Sequence, residues 1–213
     1  MKNSVTLSQI AEKINQCKRC DLWKTKRNYV PGEGSCHSKV VFVGEAPGRE
    51  EDLQGRPFVG NAGKLLTELI DKKLGLRRDE VFITNVLKCR PPENRDPLPE
   101  EVRECSPFLF EQLEVLKPEV LVCLGRHSAS LIFSLYKLDF PGISAVRGKI
   151  FEKDTEWGKL RLIAIYHPAA ALYKPPLRGI LERDFEKIAS LISGDDKSNG
   201  KAIERKLNDF FEI

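Results

Sequence analysis

The sequence predicts an α/β protein with three layers, α/β/α, around a central, mainly parallel four-stranded sheet. Three observations carry this. Four short apolar runs, residues 40–43, 81–84, 120–124 and 162–165, have strand length and are rich in Val and Ile. None alternates strictly, as expected of strands buried on both faces. Helix-period segments separate them, and strand–helix alternation marks a parallel sheet covered on both sides.

The elements follow in order. Leu7, Ile10, Ala11 and Ile14 recur at helical spacing, so a first helix leads into Cys17-Lys18-Arg19-Cys20. The first apolar run ends in Gly44-Glu45-Ala46-Pro47-Gly48, and a helical pattern covers 62–74. The second run ends in Asn85 and precedes a helix over 99–116. The third ends in Gly125 before a helix over 126–135, and the fourth in His167-Pro168 before a last helix over 179–192. Open α/β sheets bind ligands at the carboxyl ends of their strands. All four strands thus aim unusual residues at one edge.

The 213 residues suffice for one large domain, read as 1–193, with a flexible tail over 194–213. Hydrophobic residues at 41% and charged residues at 31% describe a soluble chain with a charged surface. A net charge of +4 suits a polyanionic partner without demanding one. No run of about 18 apolar residues exists, which excludes a spanning helix and a membrane partner of that kind. Met1-Lys2-Asn3-Ser4 opens no secretory signal, so an intracellular place, cytoplasm or nucleoid, is expected. There, cysteines serve as ligands and core residues rather than as disulfides.

Cys17 and Cys20 form a C-x2-C pair, and Cys89 and Cys105 a distant C-x15-C pair. A short chelating pair closed by two remote ligands is how a chain wraps a metal or an iron–sulfur cluster, and thiolates suit iron–sulfur and zinc alike. Zinc ribbons bring two short knuckles, and here the second pair is widely split. Cys123 lies inside an apolar run and is expected in the core, while Cys36 lies in a Gly/Ser loop outside the ligand set.

The carboxamide of Asn85, at the end of the second run, presents one hydrogen-bond acceptor and one donor side by side. Phe58 lies in a loop flanked by Gly55 and Gly60, not on a helix stripe. Gly44-Glu45-Ala46-Pro47-Gly48, the segment from Gly55 to Gly60, the run from Asn85 to Pro92 and His167-Pro168-Ala169-Ala170 together resemble the family 4 uracil-DNA glycosylases. The resemblance covers about residues 5–193, with four motifs in order and matching cysteine spacing.

The resemblance implies a [4Fe–4S] cluster on Cys17, Cys20, Cys89 and Cys105, and a uracil pocket of Gly44, Glu45, Ala46, Phe58, Asn85, His167 and Glu51. Phe58 would stack on the flipped base, and Glu51 would exclude the 5-methyl group of thymine. His167 and Glu45 would be catalytic: the imidazole against charge growing on uracil O2, the carboxylate positioning or activating water. No lysine stands in a catalytic motif, so the expected enzyme is monofunctional and leaves an abasic site.

Residues 169–173 are expected to form the loop that enters the minor groove, with Leu172 as wedge. The family more often shows Leu-Leu-Arg there, so Tyr173 stays open as the intruding residue. Arg90, Arg95, Arg103, Lys174 and Arg178, with the Gly125–Ser128 turn, are candidates for the DNA backbone. In the tail, Leu207, Phe210 and Phe211 look like a sliding-clamp-binding peptide. A monomer is expected. The competing readings are a non-enzymatic iron–sulfur or zinc nucleic-acid module and a sister branch with broader lesion choice. That sister branch lacks a carboxylate at the position of Glu45.

Overall fold

The computed structural model describes residues 5–193. The clamp peptide expected at Leu207, Phe210 and Phe211 and the 194–213 tail lie outside them.

Helix α1 (Leu7–Asn15) starts at Thr6, whose hydroxyl accepts from the Gln9 amide while the Gln9 side chain accepts from the Thr6 amide. Then come β1 (Glu33–Gly34), β2 (Val40–Gly44), α2 (Arg49–Gln54), α3 (Asn61–Leu69), β3 (Phe82–Asn85), α4 (Pro99–Leu116), β4 (Val120–Leu124) and α5 (Arg126–Leu135). A short α6 (Ile143–Val146), β5 (Ile150–Thr155), β6 (Gly158–Ile165), α7 (Pro168–Tyr173) and α8 (Leu177–Ser193) complete the chain.

The sheet order is β1-β3-β2-β4-β6-β5. The inner four strands are parallel and are the four expected runs, whereas β1 and β5 are antiparallel edges. The sheet is therefore six-stranded, not four-stranded. Both additions are edge strands, and edge strands carry little apolar pattern. β1 has two residues, and β5 (Ile-Phe-Glu-Lys-Asp-Thr) is partly exposed along its length. Its hairpin turns through Glu156-Trp157 rather than an Asn-Gly type pair, so no turn signal announces it.

Alternate residues of the inner strands feed two cores. Val41, Val43, Leu121, Cys123 and Leu162 face α1, α4 and α5, while Val40, Phe42, Ile83, Val122 and Ile163 face α3 and α8. The three-layer expectation is met, with every residue of β2, β3 and β4 buried. The helix read over 62–74 is α3 followed by one π turn (Ile70–Leu74). Residues 169–173, read as a loop, belong to the short helix α7, because Pro168 opens it and the His167 side chain caps it.

Candidate active site

The carboxyl ends of β2, β3 and β6 and the turn between α2 and α3 enclose a cavity of about 320 Å³. Glu45, Ala46, Glu51, Phe58, Asn85 and His167 line it together with Asn94 and Ala169. Every uracil-pocket residue named from sequence is therefore at this cavity, with Gly44 directly behind it. Gly44 pairs with Asn85 in register, and a Cβ there would meet the Asn85 Oδ1 and stand 2.6 Å from the Phe58 ring. Only glycine lets the recognition amide and the aromatic ring close on the same backbone atom.

Asn85 is 1% exposed, and its Oδ1 is the buried side-chain atom without a hydrogen-bond partner among the described residues. A buried unpaired acceptor costs about 1–3 kcal/mol, a cost native folds keep for function. Phe58 stacks on His167, ring centroids 5.5 Å apart and planes at 29°. His167 Nδ1 accepts the Ala169 amide at 3.2 Å. That bond occupies the Nδ1 lone pair, so the proton of the neutral ring sits on Nε2. Burial pushes the imidazole down to about 4, against a smaller upward pull from Glu51, and the ring is neutral at pH 7.

Glu51 is more than a wall of the cavity. Its Oε1 accepts from Val59 and Gly60 amides at 2.8 Å, and its Oε2 from the Gly48 amide at 3.1 Å. One carboxylate thus ties the loop after β2 to the loop carrying Phe58. Glu45 is half-buried, and burial raises its pKa; His127 and Arg126 pull it down while Asp96 pushes it up. His127 Nε2 lies 3.6 Å from Glu45 Oε2 and 3.4 Å from Asp96 Oδ1, and Arg126 pairs with Asp96. Sequence reading missed His127 and Asp96, since neither lies in a motif with Glu45.

Behind the pocket, Cys17, Cys20, Cys89 and Cys105 line one enclosed cavity with Tyr29, Lys88 and Phe108. Among the described residues no three of these thiols have sulfurs mutually within 4.8 Å. Burial pushes the Cys89 thiol up strongly and the Cys105 thiol to about 11, and the neighbouring cysteines add to both. Four thiolates are tolerable there only against a bound cationic group. The donor set fits one. Cys123 is in the core and Cys36 is exposed, both apart from the cage.

Lys88 joins the two cavities and was not singled out from sequence. It is 1% exposed, and its Nζ donates to Thr84 Oγ1 (2.6 Å), the Asn85 carbonyl (2.7 Å) and Gln112 Oε1 (2.8 Å). Its own amide donates to Cys105 Sγ at 3.3 Å. Burial lowers the ammonium to about 7.

The DNA-facing candidates divide. Tyr173 is 85% exposed and Leu172 47%, both at the carboxyl end of α7, the helix that His167 opens. Arg90 reaches Asn94 at the cavity rim, at 2.7 Å. The Ser128 side chain is buried, its hydroxyl donating to the Gly125 carbonyl, which leaves the backbone N–H groups of the Gly125–Ser128 turn as what this segment offers. Arg95 is forked onto Glu101, and Arg178 is paired with Glu68 and Glu182, so neither cation stands alone.

Among known proteins, the model of the uracil DNA glycosylase superfamily matches residues 31–189. A type-4 uracil-DNA glycosylase of Archaeoglobus fulgidus is 58% identical over 187 residues, covering 87% of this chain and 93% of that protein. One of Saccharolobus solfataricus is 49% identical over 187 residues, 88% and 87% of the two chains. A type-5 uracil-DNA glycosylase of Pyrobaculum aerophilum is 31% identical over 170 residues, 73% and 72% of the two chains. With that gradient of identity and this cavity, the chain belongs to the uracil DNA glycosylase superfamily, in its type-4 branch.

Proposed function

We propose that this chain flips uracil out of DNA and hydrolyses its N-glycosidic bond, releasing uracil and leaving an abasic site. The observation that carries the reading is the unpaired, buried Asn85 Oδ1 in a cavity shared with Phe58 and His167. It is an acceptor awaiting an N–H, and uracil N3–H is that donor. The amide NH2 of the same side chain then serves O4. Cytosine presents the reverse pattern and leaves both groups unmatched, which costs far more than a lost contact.

Phe58 offers the stacking face, and the neutral His167 offers its Nε2–H to uracil O2. As the bond from C1′ to N1 breaks, the electron pair leaves with uracil and charge spreads onto O2, where the fixed N–H donor gains strength. Water supplies the oxygen that bonds to C1′, and Glu45 accepts the proton that water gives up. Glu51, occupied by three amides, holds the walls apart at a set width and would face the thymine methyl group.

Cys17, Cys20, Cys89 and Cys105 would hold a [4Fe–4S] cluster. When bound, it supplies metal–thiolate cross-links between the start of the chain, the segment after Asn85 and α4. Leu172 and Tyr173 would fill the vacated stack, and the tail residues Leu207, Phe210 and Phe211 would engage a sliding clamp. No helix among the described residues is long and apolar enough to cross a membrane; an intracellular, monomeric repair enzyme is the reading that goes with DNA as substrate.

The test uses oligonucleotides carrying U·G, U·A, T·G or hypoxanthine, followed by alkaline cleavage of abasic sites. Cutting at uracil that disappears in His167→Ala is the expected result. Tight binding without cutting would favour the nucleic-acid module, and equal cutting at hypoxanthine the broader branch.

A further inference from the structure

Phe58 sits in an unusual backbone. Its φ of 49° lies in the left-handed region, disfavoured for a residue with a Cβ. The surrounding structure must therefore hold it there. On its carboxyl side, Glu51 accepts the Val59 and Gly60 amides. On its amino side, Arg78 donates Nη2 to the Pro57 carbonyl, Nη1 to Thr67 Oγ1 at 3.0 Å and Nε to Glu33 Oε1 at 2.8 Å. The two peptides flanking Phe58 are thus gripped by opposite charges. Below the loop, Gly63 leaves no room for a Cβ against the Phe58 carbonyl.

Glu33 is the anchor of this grip, and it lies on β1, the two-residue edge strand paired with β3. β3 ends in Asn85. Arg78 therefore references the aromatic platform to the strand that carries the recognition amide. Arg56 shares Glu33, at 2.7 and 3.1 Å, and keeps that carboxylate charged and aligned.

We infer that Arg78, anchored by Glu33, is a positioning residue that fixes the height of the Phe58 ring relative to Asn85 and so sets the affinity of the slot for a flat pyrimidine. The inference rests on the uracil reading above. Without the clasp, Phe58 relaxes out of its left-handed conformation and the stacking face tilts. Arg78→Met removes all three donors at similar length. Arg78→Lys keeps the charge but reaches one acceptor at a time. Glu33→Gln keeps volume and loosens the anchor, and it decides the matter if Arg78→Met does not fold.

Two quantities are read on each variant: inhibition of excision by free uracil, and affinity for an abasic-site duplex. Arg78→Met is expected to weaken uracil inhibition about tenfold, within the range of a lost base–aromatic stack, with abasic-duplex affinity unchanged. Arg78→Lys and Glu33→Gln should fall between it and the unmodified chain. Unchanged uracil inhibition in both Arg78→Met and Glu33→Gln overturns the inference, whatever happens to the melting temperature. Equal loss of uracil and duplex affinity overturns it too, since that is general damage. If the unmodified chain neither binds uracil nor excises it, the underlying reading has failed instead.

Discussion

Gly44 and Asn85 stand in register at the ends of β2 and β3, and the Asn85 carboxamide oxygen fills the space a Gly44 side chain would need. Gly44→Ala must therefore push Asn85 and Phe58 aside. Excision should fall about a hundredfold, the scale of an ångström-level misplacement, while circular dichroism stays native. A Gly44→Ala protein that excises normally would show that the slot is not that tight.

Asn85 Oδ1 is buried without a partner among the described residues, so the fold bears its desolvation. Asn85→Leu, of the same branched shape though bulkier, should abolish excision and raise unfolding free energy by about 1–2 kcal/mol. Urea denaturation measures this. Destabilisation by Asn85→Leu would contradict an unpaired acceptor.

The proposed mechanism works with Glu45 ionised and His167 neutral. The His167 imidazole is pushed down to about 4, whereas burial raises Glu45 above the ordinary carboxylate value. As pH falls, Glu45 takes its proton first, so the acid limb of kcat/KM belongs to Glu45. His127 and Arg126 lower that pKa, so replacing either with Ala should move the limb to higher pH. A limb that stays put in both variants would rule out this electrostatic coupling.

Lys88→Met leaves Thr84, Gln112 and the Asn85 carbonyl without their donor. A loss of about 3 kcal/mol in stability is expected, with the iron and sulfide of the proposed cluster retained because the four cysteines remain. Cys105→Ser should instead lose the metal. If Lys88→Met also empties the cage, the lysine is part of metal retention and not only a bridge.

Tyr173 protrudes further than Leu172 from the end of α7. Tyr173→Ala is expected to weaken binding to uracil-containing duplex about tenfold, more than Leu172→Ala does. Band shifts with both variants in a His167→Ala background measure it; the reverse order assigns the wedge to Leu172.

The buried centre of the fold was legible because it is repetitive. Val40, Val41, Phe42 and Val43 are apolar on both faces, and so are Val120 through Leu124, and the first of these runs leads straight to Glu45 of the cavity. Phe58, Asn85 and His167 were legible as well, through their motifs and the strand ends they follow. β1 and β5 were not, since an edge strand is half wet and needs no apolar pattern. The burial of the Ser128 side chain was not legible either, since a helix's facing is settled by what it packs on.

By itself the sequence determined the parallel inner sheet, the edge where the chemistry gathers and the four thiols of the cage, all properties written in short local runs. Tertiary structure decided the rest: that His127 and Asp96 flank Glu45, and that Arg78 reaches past Pro57 to Glu33. These pairings join segments far apart along the chain. Local pattern encodes which face is buried, whereas the partner of a polar group depends on where loop closure and packing bring a distant side chain.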